Sequence, residues 1–257
     1  MKFLVCWVVA LSTISHVGLS AQTVKESGAT VGCSAPATAR NLFNGKDLTG
    51  WYTFLRGRGK NVDPKSVFSV TNGLLRITGE EWGGLVSDEV FSNYRLSVDY
   101  RWLGTRYAGK TNAAFDSGIL FHSVGADGAF GGIWMASHEY NLIQGASGDF
   151  WTVHPKGADM CLKAEVADEK LGGRSFIWKE GGREITISGN DRVCRFDIDR
   201  GWTDTPQAPF AVNEKPVGQW NTAVLECCDD TVTCWFNGKL VNKATHVKPS
   251  SGRIQLQ

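Results

Sequence analysis

Val67-Phe68-Ser69-Val70-Thr71-Asn72-Gly73-Leu74-Leu75-Arg76-Ile77-Thr78 is a pair of short, apolar-rich runs around an Asn-Gly step. A two-residue Asn-Gly loop favours a type I′ turn, because both central positions need positive φ and these residues tolerate it. The hairpin so formed sets Val70 opposite Leu75 and Phe68 opposite Ile77 on one face, so turn register and hydrophobic pattern agree. Asn237-Gly238 repeats the device between Thr231–Phe236 and 239–242. There the expected partners are Trp235 with Leu240 and Cys234 with Val241.

Between the two hairpins the dominant period is two. Tyr94, Leu96, Val98, Tyr100 and Trp102 alternate with Arg95, Ser97, Asp99 and Arg101, which is the signature of a strand with one face on a core. Further strands are predicted at 118–123, 138–143, 174–178, 184–188 and 222–227. Many short strands joined by Gly-rich turns specify an all-β fold, here a two-sheet antiparallel β-sandwich of jelly-roll type.

The chain has 257 residues, with 27 Lys+Arg against 26 Asp+Glu, a net charge of +1. Such a balance excludes an electrostatic nucleic-acid binder, which carries a basic stripe or excess. A 42% hydrophobic content excludes a charged disordered chain. With 10 Trp, 13 Phe, 5 Tyr and 30 Gly, the composition suits tight turns and the flat apolar surfaces on which sugar rings stack.

Lys2, an apolar run over 3–11 and a small-residue exit around Gly18-Leu19-Ser20-Ala21 read as a cleaved signal peptide over 1–21. The run is shorter than the roughly 20 apolar residues of a transmembrane helix, so no transmembrane segment is expected. Residues 22–40, rich in Ala, Thr, Ser and Gly, read as a flexible leader, and 41–257 as one domain. The expected location is secreted or periplasmic. Losing Lys2 leaves the mature chain formally neutral. Cys6 leaves with the signal, and Cys33, Cys161, Cys194, Cys227, Cys228 and Cys234 remain, each expected as a structural disulfide or a buried free thiol. Cys227 and Cys228 are adjacent on a strand and therefore face opposite ways.

No nucleophile elbow, phosphate loop, dinucleotide fingerprint or zinc-protease helix motif is present. The region dense in chemistry is 116–151, with Asp116, His122, Trp134, Glu139, Asn141, Gln144, Asp149 and Trp151. Alternation sets Glu139 and Asn141 on one face of their strand, and His122 on the face of Gly118 and Leu120. If the strands of Asp99, His122 and Glu139 neighbour one another, one outer face carries Asp99, Arg101, His122, Glu139 and Asn141. Such a set suits proton transfer tuned by burial and neighbouring charge. A solvated sheet face with a cross-strand Asp99–Arg101 pair is the plainer reading of those two residues.

The stretches Leu42-Phe43-Asn44-Gly45-Lys46-Asp47-Leu48-Thr49-Gly50-Trp51, Gly84-Leu85-Val86-Ser87-Asp88-Glu89, 91–102, 116–122, 139–151, Gly218-Gln219-Trp220-Asn221-Thr222 and Trp235-Phe236-Asn237-Gly238-Lys239-Leu240-Val241-Asn242 resemble the 3-keto-disaccharide hydrolase domain family. The resemblance spans about 41–257. It implies a concanavalin A-like sandwich, export and action on 3-keto sugars. Asp116 stands where the family usually has Asn, Glu139-Tyr140-Asn141 where Glu-x-Gln is frequent, and Gln144 where Glu is common. The family also continues into a further strand after Gln257, so a sandwich lacking its last strand is expected.

A ketone at C3 of a glycoside acidifies the C2 proton; a base removes it, the C1 substituent leaves, and water adds to the enone. The chemistry needs a base near C2, a donor for the C3 oxyanion and an acid at the leaving oxygen. The expected base is Glu139, with His122 as acid or oxyanion donor and Arg101, Lys46 or Asn141 stabilising the enolate. Gln144 is a further substrate contact, and Trp82, Trp134 and Trp151 are the sugar platforms, whereas Trp51, Trp220 and Trp235 are read as structural. The sequence demands no cofactor; a divalent metal polarising the ketone would serve the same end, with Asp116, Glu139 and Asp149 as candidate ligands. The expected partner is a small carbohydrate, with no nucleic acid. The alternative is a non-catalytic carbohydrate-binding module on the same sandwich; Glu139 and His122 meeting in one pocket would favour the enzyme.

Overall fold

The computed structural model describes residues 6–11, 40–103, 114–172, 175–189, 191–195 and 213–257. Within them the regular elements are strands: β1 (Cys6–Leu11), β2 (Arg40–Asn41), β3 (Trp51–Leu55), β4 (Gly59–Lys60), β5 (Phe68–Thr71), β6 (Leu74–Ile77), β7 (Gly83–Ser87), β8 (Tyr94–Arg101), β9 (Asp116–Val124) and β10 (Ala136–Ile143). After these come β11 (Asp149–Val153), β12 (Cys161–Gly172), β13 (Ser175–Trp178), β14 (Arg183–Ile187), β15 (Arg192–Cys194), β16 (Asn221–Cys228), β17 (Thr231–Phe236), β18 (Lys239–Lys248) and β19 (Arg253–Leu256). No helix among the described residues is long and apolar enough to cross a membrane.

One sheet runs β18–β17–β16–β8–β1, with β2 and the β5–β6 hairpin paired to β1. The other runs β4–β3–β7–β19–β9–β10–β11–β15–β13–β12, with β14 also on β12. Strand β18 turns the corner between them, pairing β17 through Ala244 and β12 from Thr245 onward. The result is an all-β, two-sheet sandwich. Leu96, Val98 and Tyr100 of β8 meet Ile119, Phe121, Tyr140, Leu142 and Phe150 of the facing sheet in one core. Burying each such side chain contributes roughly 1.5–3 kcal/mol.

Both Asn-Gly turns adopt the positive φ that they were expected to supply. The first hairpin pairs Val70 with Leu75 and Phe68 with Ile77 as read. The second pairs Trp235 with Leu240, but a bulge follows, so Cys234 faces Asn242 rather than Val241. Cys227 is a buried free thiol whereas its neighbour Cys228, on the opposite strand face, is disulfide-bonded. Residues 6–11, inside the segment read as a signal peptide, pair antiparallel with β8 from Cys6↔Arg101 to Leu11↔Leu96. Residues 22–39 lie outside the described residues.

Candidate functional site

The outer face of the second sheet is covered rather than solvated. Every residue of β10 is buried, because the 130–135 segment lies over Leu120 and Val153, with Ile133 and Trp134 in one cluster with them. Polar side chains on this face are therefore held dry. Glu139, only 2% exposed, stands between Leu120 of β9 and Trp151 of β11 in the pairing register. Asn141 stands between Gly118 and Asp149. Alternation alone put Glu139 and Asn141 on one face, and the structure agrees.

Around Glu139 the polar groups are linked. The Asn141 amide donates from Nδ2 to Glu139 Oε1 at 3.3 Å and to Asp116 Oδ1 at 3.4 Å. Arg192 Nη1 donates to Asn141 Oδ1 at 3.5 Å and to Asp149 Oδ2 at 3.2 Å, and its guanidinium lies 4.8 Å above the Trp151 ring. Burial, reinforced by the neighbouring Asp116 carboxylate, pushes the Glu139 carboxyl up to about 8; Arg192 and the Asn141 hydrogen bond oppose this. A carboxyl with that value is mostly protonated at neutral pH and a strong base once ionised.

Glycine is required beneath it. A Cβ on Gly118 would lie 2.0 Å from Glu139 Oε1 and 2.8 Å from its Cδ, so the carboxyl rests on bare backbone. Gly118→Ala is expected to push Glu139 aside and lower activity by about 10²-fold, the cost of roughly 1 Å of misplacement. The measurement is kcat beside a melting curve. An unchanged kcat would show that the Glu139 position does not matter.

A second buried layer holds the turn after β10. Arg195 is wholly buried; its Nη1 donates to Ser147 O at 2.6 Å, its Nη2 to Asn213 Oδ1 at 2.8 Å, and its backbone N–H to Asp149 Oδ1 at 3.0 Å. Glu214 accepts the Gly145 N–H at 2.8 Å, and burial raises its carboxyl to about 7. Arg192, Arg195 and Glu214 were not singled out from sequence. The only local hint is Arg192-Val193-Cys194-Arg195, two cations bracketing an apolar pair in a short strand.

The three aromatic platforms come together. Trp134 and Trp151 share the cluster with Leu120, and Trp82, 40% exposed, meets Trp134 edge-on at 6.0 Å. The Trp134 Nε1 donor is buried with no partner among the described residues. Trp51 is structural, donating from Nε1 to Leu42 O at 2.9 Å, while Trp220 and Trp235 lie under Arg101 and Arg95.

Other expected contacts are elsewhere. His122 is turned to the core side, its Nδ1 2.9 Å from Pro249 O and its ring edge-on to Tyr94. The cause is a bulge: Phe121 pairs His138 but Val124 pairs Ala136, and His122 takes φ +49°, which breaks the period of two. The Gly252 backbone closes on this bulge, where a Cβ would sit 2.3 Å from His122 C. Asp99 and Arg101 belong to β8, in the opposite sheet; Asp99 accepts Thr222 Oγ1 at 2.5 Å and Arg101 covers Trp220. The shared face expected for Asp99, Arg101 and Glu139 therefore does not exist. Lys46 is exposed in a turn whose Gly45 packs on Gly73, at the tip of the first hairpin. Gln144 lies one residue past the β10 end, where Ile143 pairs Asp116, and exchanges backbone and side-chain bonds with Phe115.

The acids do not make a metal centre. Both Asp149 oxygens are engaged, one by Arg192 and one by the Arg195 N–H. No group of three or more His, Cys, Asp or Glu among the described residues is arranged to hold a metal ion.

No curated protein matches the chain. Two crystal structures from Parabacteroides distasonis ATCC 8503, each described as a candidate glycosyl hydrolase, are similar. One is 19% identical over 84% of this chain and 85% of its own, and the other 16% identical over 84% and 88%; both have a TM-score of 0.44. The sequence model of one family spans nearly the whole domain, including every residue of the Glu139 face. Matched over residues 38–257, the chain belongs to the 3-keto-alpha-glucoside-1,2-lyase-like domain family, and so to the glycoside-active proteins.

Proposed function

We propose that the protein cleaves 3-keto-glycosides by removing the C2 proton, expelling the C1 substituent and hydrating the enone. The observation that carries this reading is Glu139, a nearly buried carboxyl raised to about 8 beside Asp116. Carboxyls raised by burial and a neighbouring charge cluster at catalytic sites, which favours an enzyme over a non-catalytic sugar-binding face. Ionised Glu139 takes the C2 proton, burial then favours its neutral form, and the same carboxyl returns that proton to the departing C1 oxygen. Trp134 Nε1, which has no hydrogen-bond partner among the described residues, is the donor this reading assigns to a substrate oxygen. Trp151, backed by Arg192, and the exposed Trp82 supply the flat surfaces for the sugar rings.

Export belongs to the same reading, with the 1–21 signal removed on the way to the periplasm or medium. Incubating purified protein with 3-keto-trehalose or 3-keto-sucrose should release one equivalent of the unoxidised monosaccharide, followed by coupled enzymatic assay. Absence of release by the wild-type protein would sink the proposal.

A further inference from the structure

We propose that Arg192 is the positioning residue of this site: through the Asn141 amide it fixes where the Glu139 carboxyl lies and so governs its exchange of a proton. The proposal rests on the catalytic reading of Glu139, but its physical content can be measured without turnover.

The argument starts from the asymmetry of an amide. Arginine only donates hydrogen bonds, so the Asn141 group facing Arg192 must be its carbonyl oxygen. The Asn141 NH₂ is thereby left pointing to the acids, where it donates to Glu139 Oε1 and Asp116 Oδ1. Arg192 and the two acids thus select the same amide orientation from opposite ends of the side chain. The reversed one would set oxygen against carboxylate oxygen and free Glu139 from its anchor.

Arg192 is itself held on two sides. Asp149 takes Nη1 at 3.2 Å and the Trp151 ring lies 4.8 Å beneath the guanidinium. Asp149 is in turn fixed by the Arg195 N–H at 3.0 Å, so the chain of contacts runs from a fully buried arginine to the reacting carboxyl. Its charge acts in the same sense as its geometry, since a nearby cation favours the ionised carboxylate. Lysine cannot replace it, because an ammonium has neither the planar fork nor the stacking surface.

The test follows the Glu139 carboxyl carbon by ¹³C NMR in protein labelled at Glu, with Glu139→Gln identifying the resonance. In the wild-type protein the midpoint is expected near pH 8. Arg192→Met is expected to raise it by about one unit or more. Arg192→Lys keeps the charge and is expected to shift the midpoint less while releasing the Asn141 side-chain amide into exchange. Because Arg192→Met takes the ion-pair partner from buried Asp149, the Arg192→Met/Asp149→Asn double variant removes both charges. Its midpoint should also rise, as Arg192 lowers the Glu139 value more than Asp149 raises it.

With 3-keto-trehalose, the pH limb of kcat/KM should move by the same amount as the carbon midpoint. A midpoint unchanged in a folded Arg192→Met or double variant would overturn the proposal. A midpoint that moves in a protein with no turnover would uphold it and reject the catalytic reading instead.

Discussion

Glu139→Gln is expected to lower turnover of a 3-keto-disaccharide by about 10²- to 10⁴-fold, the range that a positioned general base supplies. The substitution keeps shape and volume, and leaves an amide in contact with Asn141 Nδ2, so the fold should stand. It removes the one group on this face whose pKa, raised to about 8, places a strong base in a dry setting. The wild-type pH profile carries the sign of the mechanism. A base must be ionised in the free enzyme, so kcat/KM should climb with pH and level off above about 8. An acid of the same pKa would give the opposite limb. Full turnover by Glu139→Gln, or a profile that falls through pH 8, would remove Glu139 from the role of base.

Much of this site was legible because it is local. Asn72-Gly73 and Asn237-Gly238 set two hairpins through turn chemistry confined to two residues each. Alternation along β10 put Glu139 and Asn141 together because that strand keeps an unbroken register with β11 from Ser137 to Asn141. His122 was misplaced by the same rule, since one residue of positive φ at the β9 bulge turned it from the Glu139 face to the core. Arg101 was misplaced for a different reason. Its side of β8 was read correctly, but which sheet β8 joins depends on pairing with β16, more than a hundred residues away. Arg192 escaped notice because β15 is three residues long. Its meaning comes from Asn141 and Asp149, which no pattern around Arg192 announces.

Stability is expected to peak on the acid side of neutrality and to fall on both flanks. His122 and His138 are fully buried. Each gives one ring nitrogen to a backbone carbonyl, of Pro249 and Lys248, and leaves the other without a partner among the described residues. Burial depresses His122 to about 4 and His138 to about 3. Below the ordinary value near 6.5 the unfolded chain therefore binds protons that the folded chain refuses, and stability falls as pH falls through that window. The buried carboxyls act in the opposite sense. With Glu139 raised to about 8 and Glu214 to about 7, the folded chain holds protons that the unfolded chain has lost above about 4.5. Their contribution is complete below that pH and disappears as pH rises through 7 and 8.

Between about pH 4.5 and 6.5 the two imidazoles and the two carboxyls offset each other, which gives a plateau. Above it only the carboxyls change, by about two units in total up to pH 8, or about 3 kcal/mol at 1.36 kcal/mol per unit. Below it the imidazoles change by a similar amount down to pH 3, and Asp47 and Glu81, whose carboxyls are held down to about 2 by their hydrogen bonds, act in the same sense. Either loss is a large share of the roughly 5–15 kcal/mol that holds a domain together. Glu139→Gln removes the larger alkaline contributor, so the variant should lose about 2 kcal/mol less than the wild type between pH 6.5 and 8. Urea midpoints collected from pH 3 to 9 measure both effects. A wild-type maximum at pH 8, or an alkaline flank that Glu139→Gln leaves untouched, would contradict the buried, proton-holding carboxyl on which the chemistry depends. The proposed base is thus expected to be the larger limit on stability on the alkaline side of neutrality, the usual consequence of keeping an ionisable group dry for function.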